Sequence, residues 1–423
     1  MAWMMLFLPL ALLTFGFPFF VVLLATSATV LLFFSNIPAS ALHQVMFGTL
    51  DQFALLAVPF FIFAGELMAR GNISAPLVRW AMSVVGGWRG SLAMTTLGAG
   101  TVFGAISGAT TASVAAVGSL TYQPLKEAGY GERFSAGLLT STGAIANIIP
   151  PSIGMILYGA VSHTSIVALF AAGIIPGLLL AAFFALYIYY YAVRRGLREG
   201  AGFAWSEFIA ATRDAAWAFG APVVILGGIY GGIFTPTEAA GVACVYAMFV
   251  TMLVSRSLSL REVFQIAGSS MYLTAQIFII VAAAGAYSWL LTISGAANAA
   301  VGFVGALDLP PWAVLLAINL LLLFVGCVLD TASAILVLTP LLGAIATQIG
   351  VDPVHFGIIM VFNLSIGTFT PPFGLNIFVA QAVFKVPLAE LYAGLAPFIA
   401  ISVAALLIVT YVPALSLWIL RFL

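Results

Sequence analysis

Two short polar stretches hold the side chains of this sequence that are best suited to bind a small ion. The first reads Ser107-Gly-Ala-Thr-Thr-Ala-Ser113 and the second reads Asp330-Thr-Ala-Ser333, and apolar residues flank both. Hydroxyl and carboxylate oxygens are hard ligands, so they suit Na⁺ rather than a transition metal. About 40 residues after each stretch comes a Pro-Pro pair, Pro150-Pro151 in the first case and Pro371-Pro372 in the second.

Each Pro-Pro pair predicts a break in a membrane-embedded helix. Proline lacks an amide donor and clashes with the carbonyl four residues back. Hydrocarbon offers no water to the freed backbone groups, so the break requires surrounding protein or a hydrated cavity. We expect unpaired carbonyls around 142–147 and 364–368, where they can bind a cation. The half-helix that opens at Ser152 presents amides, which can hold an anion.

The composition indicates a membrane protein. Hydrophobic residues make up 63% of the 423 residues and charged residues only 6%, whereas a soluble domain carries about a quarter charged residues. Allowing for the broken helices, the uncharged runs suffice for about ten to twelve membrane segments. The formal net charge is zero, and we expect no nucleic-acid partner. The sequence therefore predicts an all-α polytopic membrane protein.

The two halves of the sequence share an order of features that predicts an internal repeat. Thr111-Ala-Ser113 matches Thr331-Ala-Ser333 at an offset of about 220 residues. In each half, a hydroxyl-rich interruption that we interpret as the tip of a re-entrant hairpin precedes a broken helix. We place the hairpins near 92–122 and 312–345, the broken helices near 134–160 and 356–382, and the repeats at 1–200 and 201–423. Paired interruptions of this kind indicate a transporter binding site.

Three carboxylates in apolar surroundings are further candidates for a functional role. Asp330 is the strongest because it would face the cavity, although capping of a half-helix by its side chain is the alternative. Glu66 precedes Arg70 by four residues, which is the spacing of a helical ion pair. Glu238 follows Thr235 and a proline, which together mark a helix start. For both glutamates we therefore favour a structural role.

Five motifs occur together in the order and spacing of a known family. They are Phe63-Ala-Gly-Glu-Leu-Met68, Ile106-Ser-Gly-Ala-Thr-Thr-Ala-Ser-Val-Ala-Ala-Val-Gly118, Asn147-Ile-Ile-Pro-Pro-Ser152, Gly232-Ile-Phe-Thr-Pro-Thr-Glu-Ala-Ala240 and Thr368-Phe-Thr-Pro-Pro-Phe-Gly-Leu-Asn376. As a set they resemble the large permease subunit of TRAP (tripartite ATP-independent periplasmic) transporters, the DctM-like family. The resemblance covers the sequence from about residue 5 to 420.

This resemblance implies a fold, a function and two partners. The fold would consist of two inverted repeats with two re-entrant hairpins, in which a transport domain moves like an elevator against a scaffold. The protein would be no enzyme but a permease in the bacterial inner membrane that imports an organic acid with Na⁺ as the coupling ion. A small four-span membrane subunit, expected here as a separate chain, and a soluble periplasmic substrate-binding protein would complete the transporter.

The resemblance also implies where the ligands bind. Each of two Na⁺ sites would lie between one hairpin tip and the nearby helix break, with the substrate between the two tips. The residues assigned to Na⁺ are Ser107, Gly108, Thr142, Gly143, Asn147, Asp330, Thr331, Gly367 and Thr370. The residues assigned to the substrate are Ser107, Thr110, Thr111, Ser152, Asp330, Thr331, Ser333 and Asn376. The structural breaks are Pro150, Pro151, Pro371 and Pro372.

Three other functions have to be compared with import by a TRAP-type permease. A stand-alone divalent-anion/Na⁺ symporter of similar architecture is the main alternative. An intramembrane enzyme predicts a motif such as His-Glu-x-x-His or Gly-x-Gly-Asp, and the sequence contains neither. A channel would not require paired hairpins. The sequence therefore favours a secondary transporter, with no cofactor other than Na⁺.

Overall fold

The computed structural model describes residues 2–198 and 202–423, and this part of the chain is built from α-helices joined by short connections. The helices before residue 199 are α1 (Ala2–Thr14), α2 (Phe19–Phe34), α3 (Ser40–Leu50), α4 (Ala57–Arg70), α5 (Ser74–Val85), α6 (Ser91–Ser107), α7 (Thr110–Glu127), α8 (Glu132–Ile145), α9 (Ile153–Ser162) and α10 (Ile166–Arg195). Those after it are α11 (Trp205–Tyr230), α12 (Pro236–Met248), α13 (Leu260–Ile293), α14 (Ala296–Ala306), α15 (Pro311–Gly326), α16 (Thr331–Gln348), α17 (Pro353–Gly367), α18 (Leu375–Phe384), α19 (Leu388–Tyr411) and α20 (Ala414–Leu417).

Within the described residues, seven helical segments are long and apolar enough to cross a membrane. They are Phe53–Arg70, Ile166–Arg195, Trp205–Tyr230, Pro236–Val254, Leu260–Ile293, Thr331–Gln348 and Leu388–Tyr411. The expectation of ten to twelve segments exceeds this number because several apolar helices, α6, α9, α15, α17 and α18 among them, contain only 10 to 17 residues. A single helix needs about 20 residues to span the hydrocarbon core.

Two helical hairpins occupy the regions in which the sequence predicts them. Hairpin 1 consists of α6 and α7, and it turns at Gly108, whose φ of 60° is the left-handed conformation that glycine adopts without strain. Hairpin 2 consists of α15 and α16, and its turn ends at Asp330. The Asp330 carboxylate accepts a hydrogen bond from the Ser333 amide at 3.0 Å and thereby caps α16.

Two broken helices follow the hairpins. The first comprises α8 and α9 on either side of residues 146–152, and the second comprises α17 and α18 on either side of residues 368–374. In each case the Pro-Pro pair, which contains a cis peptide bond, lies inside the interruption. Ser152 caps α9 by accepting a hydrogen bond from the Met155 amide at 3.3 Å. The helices thus stop and restart where proline removes the backbone donor.

The hairpins and broken helices pack as one crossed group. Helix α8 packs against α7 and α19, and α17 packs against α15 and α16. The second half of each broken helix contacts the opposite hairpin, since α9 packs on α16 and α18 packs on α7. Because of this crossing, both hairpin tips and both breaks lie in the same part of the molecule.

Local predictions outside this group are confirmed. Glu238 accepts a hydrogen bond from the Thr235 amide at 2.8 Å, which forms a capping box at the start of α12. Arg70 Nε lies 3.2 Å from Glu66 Oε2, as an i,i+4 ion pair. The proposed boundary between the two repeats, between residues 200 and 201, lies outside the described residues.

Candidate functional site

The tip of hairpin 1 lies directly on the first helix break. Gly108 approaches Pro151 so closely that a Cβ atom added to it would be 2.6 Å from the Pro151 carbonyl oxygen. At the same contact, a Cβ on Gly143 would be 2.8 Å from the Thr110 carbonyl oxygen. The Ser107 Oγ atom lies 3.3 Å from the Ser113 Oγ atom. Backbone and hydroxyl oxygens of the tip and of the break are therefore brought together.

Hairpin 2 contacts the second break in a similar way. Gly326, at the end of α15, packs against Gly367, at the end of α17, backbone to backbone. A Cβ on Gly367 would be 2.5 Å from both the Cα and the carbonyl oxygen of Gly326. Asp330 and Thr331 at the tip share a cavity wall with Thr368 of the break. Each tip is thus paired with the break that follows it in the sequence.

Both first half-helices end with tightened backbone hydrogen bonds. The Ala146 amide donates to Gly143, three residues back, at 3.1 Å, and Asn147 donates to Ala144 at 3.2 Å. At the second break, the Thr370 amide donates to Gly367 at 3.1 Å. In this 3₁₀-type ending, each amide donates to the carbonyl three residues back in place of the carbonyl four residues back. Carbonyl oxygens at the helix end therefore keep lone pairs that can bind a cation.

Two asparagines connect the two broken helices to each other. The Asn147 Nδ2 atom donates to Ser365 Oγ at 3.0 Å, and Asn147 Oδ1 accepts from Ser152 Oγ at 3.2 Å. From the other break, Asn376 Nδ2 donates to Thr368 Oγ1 at 3.2 Å and to the Thr140 carbonyl at 3.5 Å. Asn147 is 4% exposed and Asn376 is fully buried. The two breaks therefore form one hydrogen-bonded unit rather than two independent kinks.

A cavity of about 310 Å³ lies between the two tips and the two breaks. The first residues of four helices line it, namely Thr110 of α7, Ile153 of α9, Thr331 of α16 and Leu375 of α18. Each helix N-terminus carries partial positive charge. Some of the amides there are already bound: Asp330 accepts from the Ser333 amide, Ser152 accepts from the Met155 amide, and the Asn376 amide donates to the Thr368 carbonyl. Four such termini around one space favour an anionic group without any basic side chain, at the part of the wall away from the Asp330 carboxylate.

The structure separates the predicted site residues into two sets. Those that line this central cavity are Gly108, Thr110, Thr111, Asn147, Asp330 and Thr331, while Ser107 lines an adjoining chamber. Those that line neither space are Thr142, Gly143, Ser152, Ser333, Gly367, Thr370 and Asn376. Prolines 150, 151, 371 and 372 shape the breaks and do not line the cavity either.

Three of the predicted substrate contacts do not face the cavity. Ser152, Ser333 and Asn376 are all fully buried. The Ser152 hydroxyl caps α9, the Ser333 hydroxyl binds the Asp330 carboxylate, and the Asn376 amide binds the backbone and side chain of other helices. Their polar atoms are used to hold the breaks and the tip, which is a positioning role.

The sequence assigns no ligand contact to the side chains of several residues at the site. Ser365 receives the Asn147 hydrogen bond, and Thr368 shares the central cavity wall with Asp330. The apolar walls come from Leu157, Phe373 and Phe378. A serine or phenylalanine in an apolar run carries no distinctive signal, so only the folded arrangement identifies these residues.

The family is shown by comparison with known proteins. The model of the family described as "Tripartite ATP-independent periplasmic transporter, DctM component" matches residues 5–415. The chain belongs to the DctM family. It is therefore the large permease component of a tripartite transporter and not an enzyme, and its apolar helices place it in the inner membrane as a multi-pass protein.

Relatives in the DctM family resemble the chain over nearly its whole length. The ectoine/5-hydroxyectoine TRAP transporter large permease of Ruegeria pomeroyi is 40% identical over 97% of this chain and 96% of the relative. The C4-dicarboxylate large permease of Pseudomonas aeruginosa is 40% identical over 93% and 92%. The isethionate permease protein DctMQ of Oleidesulfovibrio alaskensis is 40% identical over 90% of this chain but only 60% of the relative.

A solved structure shows the same fold at low sequence identity. The YdaH transporter of Alcanivorax borkumensis superposes with a TM-score of 0.63 and covers 98% of this chain, with 15% identity. At that identity the likeness concerns the fold alone. The DctM chain therefore shares its overall helical arrangement with a membrane transporter outside its close relatives.

Proposed function

We propose that this DctM chain imports a small organic acid by Na⁺ symport, together with a periplasmic substrate-binding protein. The observation that carries the proposal is the convergence of four helix N-termini and two carbonyl-ended breaks on one cavity of about 310 Å³. Helix N-termini favour a carboxylate. Broken-helix carbonyls favour Na⁺, as they do in other secondary transporters. The cavity and the contacts around it thus have the features needed for both solutes.

The two cations are proposed to bind behind the cavity, one at each contact between a tip and a break. The first site would use Ser107, Gly108 and the carbonyls of residues 142–147. The second would use Asp330, Thr331 and the break at 367–370. The hydroxyls of Thr142 and Thr370 donate to carbonyls four residues back, at 2.7 Å in both cases. Each hydroxyl oxygen keeps a lone pair for a cation.

The asparagine connections support coupling between the two cation sites. Asn147 belongs to the first break and binds Ser365 beside the second. Asn376 belongs to the second break and binds the Thr140 carbonyl beside the first. A cation that orders one break therefore also restrains the other, so binding of the first cation lowers the cost of ordering the site for the second.

We also propose that the two halves are inverted repeats and that the hairpins and broken helices move together as a transport domain. Two observations support this. The broken helices are joined by hydrogen bonds, which favours motion as a unit, and a chamber of about 450 Å³ lies beside the tips, with residues of α4 and α13 in its wall. Helices α4 and α13 would belong to the scaffold.

The small membrane subunit is proposed to be a separate polypeptide. Two relatives that the chain covers over 96% and 92% of their length are named as large permeases. The relative named DctMQ is longer, and the match covers 60% of it. Purification of the chain with an affinity tag should therefore recover a second, smaller membrane polypeptide.

Reconstitution tests this function against the stand-alone symporter. The chain and its small subunit are placed in liposomes with an inward Na⁺ gradient, and uptake of a solute known to bind the partner protein is measured. We expect uptake only when Na⁺ and the binding protein are both present, with K⁺ in place of Na⁺ as the control. Uptake without the binding protein would identify a stand-alone symporter, and uptake independent of Na⁺ would refute the coupling.

Removal of the Ser107 hydroxyl is expected to weaken Na⁺ binding. In Ser107→Ala, the Na⁺ concentration for half-maximal uptake should rise several-fold, because one neutral oxygen ligand is lost. The side chain is 1% exposed, and its hydroxyl lies 3.3 Å from Ser113 Oγ and 3.5 Å from the Ala109 amide and carbonyl, so the folding cost should stay near 1 kcal/mol. Titration of uptake against Na⁺ is the measurement.

Ser119→Ala is the matched control for that experiment. Ser119 lies on the same helix, α7, is exposed and donates to the Ala116 carbonyl at 3.1 Å. Its replacement should leave the Na⁺ dependence unchanged. An unchanged Na⁺ dependence in Ser107→Ala as well would remove Ser107 from the first cation site.

A further inference from the structure

A recess of about 370 Å³ lies between the connection of α4 to α5, helix α11 and the end of α12. None of the described residues that line it also lines the central cavity or the adjoining chamber. One part of its wall is apolar and includes Ile73, Pro76, Trp217, Ala218 and Val250. The other part is a polar rim of exposed residues, namely Asn72, Arg213, Asp214 and Ser255. The recess thus offers an apolar and a polar surface side by side.

The shape of this recess depends on an unusual ending of α12. The helix continues beyond Met248 as a π-helix, Phe249–Val254, a form that is rare and frequently found at functional sites. Gly71, after α4, packs on it so closely that an added Cβ would be 2.4 Å from Thr251 Cγ2. The Thr251 carbonyl also accepts a hydrogen bond from the Ser257 amide at 2.9 Å. The walls of the recess are therefore fixed by packing and by backbone hydrogen bonds.

The distribution of arginine places the recess on the cytoplasmic side of the membrane. An excess of Lys and Arg near the ends of membrane spans marks that side. Helix α11 starts and α12 ends beside the recess, and the arginines at and beyond these ends are Arg194, Arg195, Arg198, Arg213, Arg256 and Arg261. The connection 231–235, at the opposite ends of α11 and α12, contains no lysine or arginine. The recess consequently lies at the level of the inner leaflet.

Arg213 is the cation of the rim that is available to a ligand. Arg79, which lines a more open continuation of the recess, is held by two carboxylates, Glu207 at 2.8 Å and Asp214. Both negative charges of this group are therefore engaged by Arg79. Arg213, next to Asp214 in the chain, makes no ion pair within the described part of the protein. Its guanidinium is exposed on the rim.

We propose that this recess binds one phospholipid of the cytoplasmic leaflet through its phosphodiester. The phosphate pairs with the Arg213 guanidinium, whose planar fork matches two phosphate oxygens. The Asn72 amide and the Ser255 hydroxyl lie on the same rim and supply further donors. The first part of an acyl chain covers the apolar wall beside Trp217, an aromatic residue of the kind that is enriched at membrane interfaces. The proposal is independent of the transported solute and of the coupling ion.

Other occupants match this surface less well. A free phosphate ion would leave the apolar wall exposed to water, which is unfavourable. A lipid with two phosphates, such as cardiolipin, would need a second available cation, and Arg79 is already held by Glu207 and Asp214. An apolar helix of the small membrane subunit would cover the wall but would bring no anion to Arg213. A lipid with a single phosphodiester satisfies both surfaces.

The class of ligand is tested on the purified, delipidated complex of this chain with its small subunit. Thermal unfolding and native mass spectrometry are followed while dioleoylphosphatidylglycerol is added. We expect saturable binding and a rise of the unfolding midpoint, because a ligand of the folded state stabilises it. Deacylated glycerophosphoglycerol and inorganic phosphate should have no effect at the same concentrations. An equal effect of either would identify a plain anion site, tighter binding of tetraoleoyl cardiolipin would refute the single phosphodiester, and absence of saturable lipid binding would refute the site.

The role of Arg213 is tested with three variants of the same complex. In Arg213→Gln, the apparent Kd for dioleoylphosphatidylglycerol should rise about tenfold or more, since a hydrogen-bonded charge pair is lost. Arg213→Lys keeps the charge but not the fork, so its loss should be intermediate. Arg194→Gln is the matched control, because Arg194 is an exposed arginine on the same side of the membrane, at the end of α10, and lines no part of the recess.

The outcomes separate a built site from general attraction of lipid to a basic surface. Without lipid, all three variants should unfold at the wild-type temperature, because Arg213 is exposed and makes no ion pair in the described part of the chain. Wild-type lipid affinity in Arg213→Gln would overturn the proposal. An equal loss of affinity in Arg194→Gln would overturn it as well, since the lipid would then respond only to total surface charge.

Discussion

Asp330→Asn is expected to reduce Na⁺-driven uptake at least tenfold while the permease stays folded. Asparagine caps a helix about as well as aspartate, so α16 should keep its start. What disappears is the negative charge at the second hairpin tip, which lines both the central cavity and the adjoining chamber. A tenfold loss of affinity corresponds to about 1.4 kcal/mol. Loss of a single charge beside a cation should weaken the binding of that cation by more than this, even with partial screening by solvent.

The measurement is uptake as a function of Na⁺ concentration, with thermal stability of the purified protein as the folding control. Asp352→Asn is a matched variant, because Asp352 also caps a helix, with its carboxylate accepting from the Val354 amide at 2.8 Å, and lines neither space. It should transport normally. If Asp330→Asn transports normally too, and only Asp330→Ala loses stability, Asp330 is a helix cap and not a cation ligand.

Gly367→Ala is expected to disrupt the second cation site and to destabilise the fold. The new methyl group would be 2.5 Å from backbone atoms of Gly326, and a backbone cannot move aside as a side chain can. Overpacking in a tight core costs typically about 1–3 kcal/mol, and we expect this substitution at the upper end of that range. Separation of hairpin 2 from the break should also abolish Na⁺-dependent uptake.

A graded series checks whether this contact is the cause. In Gly326→Ala the nearest atom, Gly367 Cα, would be 3.2 Å away, so the loss should be smaller. In Gly343→Ala, within α16 of the same hairpin, the methyl group would meet nothing within 4 Å, and alanine should be neutral or stabilising by about 0.5–1 kcal/mol. Thermal unfolding and uptake are measured for all three. The same stability in all three variants would contradict the close approach.

The local features of the fold follow from the sequence because they depend on short-range chemistry. Proline removes its own backbone donor, so both breaks could be located from the Pro-Pro pairs. The capping box of Glu238 and the pair of Glu66 with Arg70 depend on spacings of three and four residues. The sequence marks Asp330 both as a tip residue and as a possible helix cap, and in the structure it caps α16.

Contacts between distant parts of the chain do not follow from such short-range rules. The hydrogen bond from Asn147 to Ser365 joins residues 218 positions apart. Nothing in the local sequence distinguishes Ser152, Ser333 and Asn376, which lie behind the wall, from Thr110 and Thr331, which face the cavity. All are polar residues near a helix start, and packing alone decides which side of the wall each occupies.

By itself, the sequence determined that this is a polytopic membrane protein with two hairpins and two broken helices, because composition and proline act locally on the backbone. Only the tertiary structure decided that the starts of α7, α9, α16 and α18 meet around one cavity, and that Glu66 lines the adjoining chamber. The physical reason is the crossed packing of α9 on α16 and of α18 on α7. That packing sums many weak contacts over the whole chain, and no single motif contains it.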